Sequence, residues 1–186
     1  NDDDLVPRST MDQVKAFYQL MGVPAANITV RPGPNAKHGM PIKALPAAGA
    51  GQHCRLPDPS YLIRCDYGAA ELLLSYLYPA PDPAPAADSP HGEIVGFDQT
   101  EFFDAADQST SLNRVGYLYV PERCKDDSRA RVLCRLHVAF HGCEQYVDKI
   151  HDIFFRDAGY NVWADANNVI VLYPQATPWL RASDLS

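Results

Sequence analysis

Two stretches of the sequence carry residue types and spacings that could do chemistry together. Phe140-His141-Gly142-Cys143-Glu144-Gln145 follows directly on an apolar run that reads as a strand. A glycine just past a strand end lets the backbone turn sharply and approach a ligand. A His-Gly turn in that place can present a backbone N–H to an oxyanion, provided the donor is fixed before the charge develops. The plainer reading is a strand-ending turn with a buried histidine. The second stretch runs from Asp2-Asp3-Asp4 to His38, which sits in a loop rich in Gly and Pro. An Asp and a His on successive loops suit the acid and base of a hydrolytic triad. Alone, the acidic run also reads as a solvated surface and His38 as an exposed loop residue. No G-x-S-x-G occurs in the sequence, so none of its serines has the glycine frame that exposes a nucleophilic hydroxyl. Cys143 is a poor substitute, because it lies at the candidate oxyanion turn.

The elements that must position these residues follow from pattern. Ser9 reads as an N-cap and Asp12 as its capping-box partner. The helix behind them carries Met11, Val14, Phe17, Tyr18 and Met21 on one face and ends at Gly22. Asn27 to Arg31 predicts a short strand, and Pro32 to Pro41 a loop. Asp66 is placed to cap a second helix over about Tyr67 to Tyr78, with Leu72, Leu73 and Leu77 inward. Residues 79–90 form a Pro/Ala stretch that reads as an exposed connector. Beyond it, Ile94 to Phe97, Arg114 to Val120, Cys134 to Phe140 and Val169 to Tyr173 predict strands. The last is a continuous apolar run, as in a strand covered on both faces. A helical pattern over about Ile150 to Asn167 lies between the last two strands. Strand, helix, strand implies a right-handed crossover and a parallel pair. The organisation expected is a segment 1–78 with the Asp and His, a connector 79–93 and a segment 94–186 with the oxyanion turn.

Bulk properties bound the partners. The chain has 186 residues, 46% hydrophobic and 21% charged, which is enough for one domain with a core. A net charge of −7 argues against a nucleic-acid partner, since phosphate binding needs clustered Lys and Arg. No apolar run approaches the ~20 residues of a membrane-spanning helix. The five cysteines, Cys54, Cys65, Cys124, Cys134 and Cys143, come as two close pairs and one single. Such pairs suit disulfides in an oxidising compartment, with reduced buried thiols as the alternative. No cysteine or histidine spacing matches a metal site. The chain opens on Asn1-Asp2-Asp3-Asp4 without an initiator Met or a targeting segment, so a fragment or a processed piece is expected.

Several longer motifs carry a resemblance. Val115-Gly116-Tyr117-Leu118-Tyr119-Val120-Pro121, Cys124 and Cys134 to Cys143 closely resemble the poly(3-hydroxybutyrate) depolymerase family. So do Ala158 to Asn167, Val171-Leu172-Tyr173-Pro174-Gln175-Ala176, Lys37-His38-Gly39-Met40-Pro41 and Cys65-Asp66-Tyr67-Gly68-Ala69-Ala70. The resemblance runs from about Asp3 to Ala176.

It implies an α/β fold: a circularly permuted α/β-hydrolase with a mostly parallel sheet, incomplete here. In that order the serine elbow comes first and is expected before residue 1. Asp3 then resembles the triad acid, with Asp4 the close alternative. His38 resembles the base, and Cys143 supplies an oxyanion N–H. Cys54–Cys65 and Cys124–Cys134 resemble the family's disulfides. The implied activity is hydrolysis of poly(3-hydroxybutyrate) or a related short-chain ester, without cofactor or metal, by a secreted or periplasmic enzyme. A feruloyl or acetyl-xylan type esterase is the alternative at the level of substrate. A non-catalytic, polymer-binding remnant is the alternative at the level of function, and this chain alone is expected to be inactive. The oligomeric state is left open.

Overall fold

The computed structural model of the chain describes residues 3–30, 36–43, 54–56, 58–65, 67–78, 89–104, 110–125 and 133–178. The chain divides into two compact units, Asn1–Gly68 and Ala69–Ser186. The second predicted helix, placed in the first segment by its sequence position, therefore falls in the second unit.

In the first unit, helix α1 spans Arg8–Leu20. Its stop is the one foreseen. Gly22 takes φ +86°, its N–H donates to Gln19 and the Val23 N–H donates to Tyr18, the paired bonds of a Schellman motif. Its start differs from expectation. Pro7, with φ −65° and ψ 155°, is the N-cap, no side chain caps the helix, and Ser9 lies inside it. Proline's fixed φ and missing N–H suit the edge of a first turn, so the helix begins earlier than Ser9 would place it. The apolar stripe forms, but Met11, Phe17, Tyr18 and Met21 are each at least half exposed. Strand β1, Met40–Lys43, pairs in parallel with β2, Leu62–Cys65, in the register Met40 with Leu62. The strand expected over Asn27 to Arg31 is absent among its described residues. Ala25–Asn27 is a 3₁₀ turn, and residues 28–30 enter no ladder. Cys54, Ile63 and Cys65 form a small buried cluster, closed by the Cys54–Cys65 disulfide.

The second unit holds helix α2, Ala69–Leu77, and four strands: β3, Glu93–Asp98; β4, Val115–Val120; β5, Arg135–Val138; and β6, Val169–Tyr173. Their order is β3-β4-β6-β5. The β5–β6 pair is parallel, as the strand-helix-strand pattern requires, but β3–β4 and β4–β6 are antiparallel. The sheet is therefore mixed rather than mostly parallel. The parallel expectation rested on the one crossover the sequence makes visible, and among the described residues no α-helix lies between β3 and β4. That crossover is three short helices instead of one: α3, Val147–Ile150; α4, Ile153–Asp157; and α5, Tyr160–Asn167. His151 at φ 56° and Gly159 at φ 89° break the run.

Alternation along β6 buries Val169, Val171 and Tyr173, while Ile170 and Leu172 are half covered. Against it pack Phe154, Phe155 and Tyr160, with Tyr173 giving its hydroxyl proton to Asn161 Oδ1 at 2.6 Å. Helix α2 packs on α5, where the Trp163 indole N–H donates to Ser75 at 3.1 Å. The buried face of α2 is Ala70 and Leu74, an i, i+4 pair. Leu73 and Leu77, expected inward, are 42% and 50% exposed, and Leu72 is half-buried. Three consecutive leucines do not set a helical phase. Asp66 and residues 79–88 lie outside the described residues. Among the described residues, no helix is long and apolar enough to cross a membrane.

Truncating Leu74, which is wholly buried, to Ala should cost about 2–5 kcal/mol of unfolding free energy. Leu73→Ala should cost less than about 0.5 kcal/mol. Urea midpoints of the two variants decide between the observed and the expected helix face.

Candidate active site

The first unit brings Asp3 and His38 together. Asp3 Oδ1 accepts the N–H of Leu5 at 2.9 Å and of Val6 at 2.8 Å, the local closure that short acidic side chains favour just before a helix. Both bonds fall on one oxygen, which leaves Oδ2 to face His38 Nδ1 at 3.2 Å. Asp4 turns the other way and pairs with Lys37 at 2.7 Å. The geometry thus separates the two carboxylates that sequence left as alternatives.

Burial works to raise the Asp3 pKa. The N–H groups of Val6 and Leu5, followed by the His38 ring, outweigh it and hold the carboxyl below the usual 3.8. Asp3 is therefore an anion at neutral pH and can only accept, so His38 Nδ1 carries the proton. His38 Nε2 is then the lone-pair nitrogen. It has no hydrogen-bond partner among the described residues, and the side chain is 43% exposed. A ring with one nitrogen anchored on a carboxylate and the other open is arranged to take up a proton.

The loop around His38 is clipped on both sides. The Lys37 N–H donates to the Cys54 carbonyl at 2.6 Å, and the Met40 N–H to the Tyr61 carbonyl at 2.8 Å. Cys54 is covalently bound to Cys65 at the end of β2. Gly39 lies so close to β2 that a Cβ would stand 2.8 Å from the Tyr61 carbonyl oxygen. Only glycine fits that approach without a shift. The Tyr61 ring meets His38 edge-on, with centroids 6.1 Å apart. Tyr61 and the Lys37–Asp4 pair had no sequence signal.

Cys143 belongs to the second unit. Strand β5 ends at Val138, and His141 to Gln145 form a tight turn. The Gly142 N–H donates to Gln145 Oε1 at 2.8 Å, and the Gln145 N–H returns to the Gly142 carbonyl at 3.2 Å. Cys143 is exposed, its thiol is free, and its N–H meets no acceptor among the described residues. The histidine of the turn, His141, is half-buried rather than buried. Cys124–Cys134 is the second disulfide, so both pairings implied by the resemblance are present.

Of the serines, Ser9 lies in α1, Ser60 donates to Asp58 and Ser75 accepts from Trp163. No described serine hydrogen-bonds His38. Ser109, Ser128, Ser183 and Ser186 lie outside the described residues.

A mixed sheet with one parallel β-helix-β crossover, and an Asp–His pair on loops, define an α/β-hydrolase-like protein. No family model matches the chain. It is 32% identical over 175 residues to a poly(3-hydroxybutyrate) depolymerase of Delftia acidovorans, which covers 94% of this chain and 33% of that protein. It is 35% identical over 178 residues to a polyhydroxybutyrate depolymerase of Talaromyces funiculosus, covering 95% of this chain and 49% of that one. The crystal structure of the PHB depolymerase from Penicillium funiculosum superposes with a TM-score of 0.78 at 33% identity, over 95% of this chain and 52% of that one. A serine-to-alanine PHB depolymerase complexed with an R3HB trimer matches with a TM-score of 0.72 at 32% identity, over 90% of this chain and 49% of that one. The chain is thus a homologue of the poly(3-hydroxybutyrate) depolymerases along nearly its whole length. It spans between a third and about half of the length of the curated relatives it matches.

Because the folded Asp3 carboxyl titrates below the unfolded value of 3.8, its contribution to stability is complete above that value. The contribution is lost as pH falls through the lowered one. A carboxyl-carbon NMR titration should place Asp3 below 3.8, and the Leu5 and Val6 amides should lose exchange protection over the same range. Titration at or above 3.8 would contradict the two-donor clamp.

Proposed function

We propose that the protein is a carboxylic ester hydrolase acting on poly(3-hydroxybutyrate) or related hydroxyalkanoate esters. Its triad would be completed by a serine outside this chain. The observation that carries this is the Asp3–His38 pair, with the carboxylate locked by two backbone donors and Nε2 left open. The names of the relatives and the R3HB trimer bound by one of them supply the substrate class.

In this mechanism the serine attacks the ester carbonyl. His38 Nε2 takes the serine proton and passes it to the leaving alkoxide. Asp3 holds the ring in the Nδ1–H tautomer and stabilises its cation. The Cys143 N–H is one donor to the tetrahedral oxyanion, a role worth about 10²–10³ in turnover for such groups. Asp3 is the acid, and Asp4 a surface partner of Lys37. The chain order of acid, base and then oxyanion turn is that of a circularly permuted hydrolase. The two disulfides support a secreted or periplasmic location.

In the complete polypeptide, His38→Ala should abolish release of 3-hydroxybutyrate. Asp3→Asn should lower kcat about 10⁴-fold, because the ring then loses its tautomer. Asp4→Asn should change kcat no more than roughly twofold, as expected of an exposed ion pair. Undiminished hydrolysis by His38→Ala would overturn the reading.

The absence of a G-x-S-x-G frame also favours a second reading, a polymer-binding relative without catalysis. The 186-residue chain alone should not turn over a chromogenic short-chain ester. Turnover blocked by a serine-directed covalent inhibitor would place the nucleophile inside the chain. If the complete polypeptide adsorbs to polyester granules but never cleaves them, the second reading stands instead.

A further inference from the structure

The turn after β5 is tied down on both sides, and the ties end on two consecutive residues. Before the turn, His141 Nε2 meets the Ala176 N–H at 3.1 Å, and Nδ1 meets the Gly142 carbonyl at 2.8 Å. After it, the N–H of Val147, the first residue of α3, donates to Gln175 Oε1 at 2.9 Å. Gln175 is 1% exposed and is itself held on both backbone groups. Its N–H donates to Gln99 Oε1 at 3.1 Å. Its carbonyl accepts from Gln99 Nε2 at 3.0 Å and from the Asn113 N–H at 2.9 Å. Buried, mutually satisfied amides of this kind fix a single arrangement.

The two partners of His141 dictate its state. A backbone N–H can only donate and a carbonyl can only accept, so Nε2 bears the lone pair and Nδ1 the proton. The ring therefore bridges the segment after β6, at Ala176, to the Gly142 carbonyl. That same carbonyl also accepts from Gln145 and so closes the turn around Cys143.

Resting on the ester-hydrolase reading above, we infer that His141 is a positioning residue. As a neutral, Nδ1-protonated bridge between Ala176 and Gly142, it sets the direction of the Cys143 N–H before an oxyanion forms. It touches neither substrate nor nucleophile in this role. Its contribution belongs to the transition state, where a misdirected donor costs turnover and leaves ground-state binding unchanged.

The test is made in the complete polypeptide with a soluble hydroxyalkanoate ester. His141→Ala should lower kcat about 10- to 100-fold, a fraction of the cost of losing an oxyanion donor outright, with KM within about twofold. His141→Gln, whose amide oxygen can still accept from Ala176, should recover a large part of that loss. If kcat in His141→Ala stays within about threefold of wild type while His38→Ala is dead, the inference is wrong. A loss confined to KM, or a Gln variant no better than Ala, also overturns it. Activity surviving in His38→Ala would instead remove the hydrolase reading itself. Should His141→Ala not fold, ring-nitrogen NMR of the wild-type protein decides the point. A neutral Nδ1–H ring at His141 supports the bridge, and a neutral Nε2–H ring refutes it.

Discussion

Two backbone N–H groups on one oxygen of Asp3 are the constraint on which the candidate site depends. A carboxylate that is to hold an imidazole must first be held itself. A free aspartate on a loop would sample several rotamers and share its charge with Lys37. Closing on the amides of Leu5 and Val6 fixes Oδ1, aims Oδ2 at His38 and lowers the carboxyl pKa against the cost of burial. The helix start at Arg8 serves the same end, since Pro7 carries the chain from the turn straight into α1. Local backbone geometry thus precedes the side-chain pair.

The second unit solves its positioning problem with amides. The sheet ends near Tyr173 and Val138, and beyond those ends the chain would be free to wander. Gln99, Gln175 and Gln145 are each buried, with their side-chain amides engaged by backbone groups. Leaving any of them unpaired in the interior would cost on the order of 1–3 kcal/mol. The network is therefore rigid for the reason that it is expensive to break. A similar logic ties β4 to α5, where Tyr119 donates to Asp165 and accepts from Gly92.

The strands of the second unit were legible because alternation and β-branched runs are local. The predicted span Val169 to Tyr173 is the strand observed, and β4 differs by one residue. The pairing sense was not legible, since the sequence marks no helix between β3 and β4 and only the β5–β6 crossover announces itself. Helix details failed where the deciding contact is distant. The phase of α2 is set by Ala70 and Leu74, with Ala70 packing beside Gly159, and a run of three leucines does not reveal that. The break at His151 is a left-handed position on a non-glycine residue, which composition does not mark. In the candidate site, the resemblance pointed to His38 through the Lys37-His38-Gly39-Met40-Pro41 motif and to Asp3 only by position, and the two side chains do meet. The choice between Asp3 and Asp4 was not, because it depends on which carboxylate meets the amides. His141 read as packing, since its bridging role needs Ala176 at its other nitrogen.

The Cys54 carbonyl that receives the Lys37 amide belongs to a residue whose place is secured by a sulfur–sulfur bond. One of the two clips on the histidine loop is therefore backed by a covalent bond that needs oxidising conditions to form. With both sulfurs as thiols, the chain keeps the Asp3 turn and the Tyr61 clip. The Lys37 clip would then rest on a carbonyl whose residue is no longer covalently tied to β2, while Asp3 and Asp4 still hold His38 and Lys37. An oxidising compartment thus adds a covalent tie behind one clip of the loop that carries the proposed base.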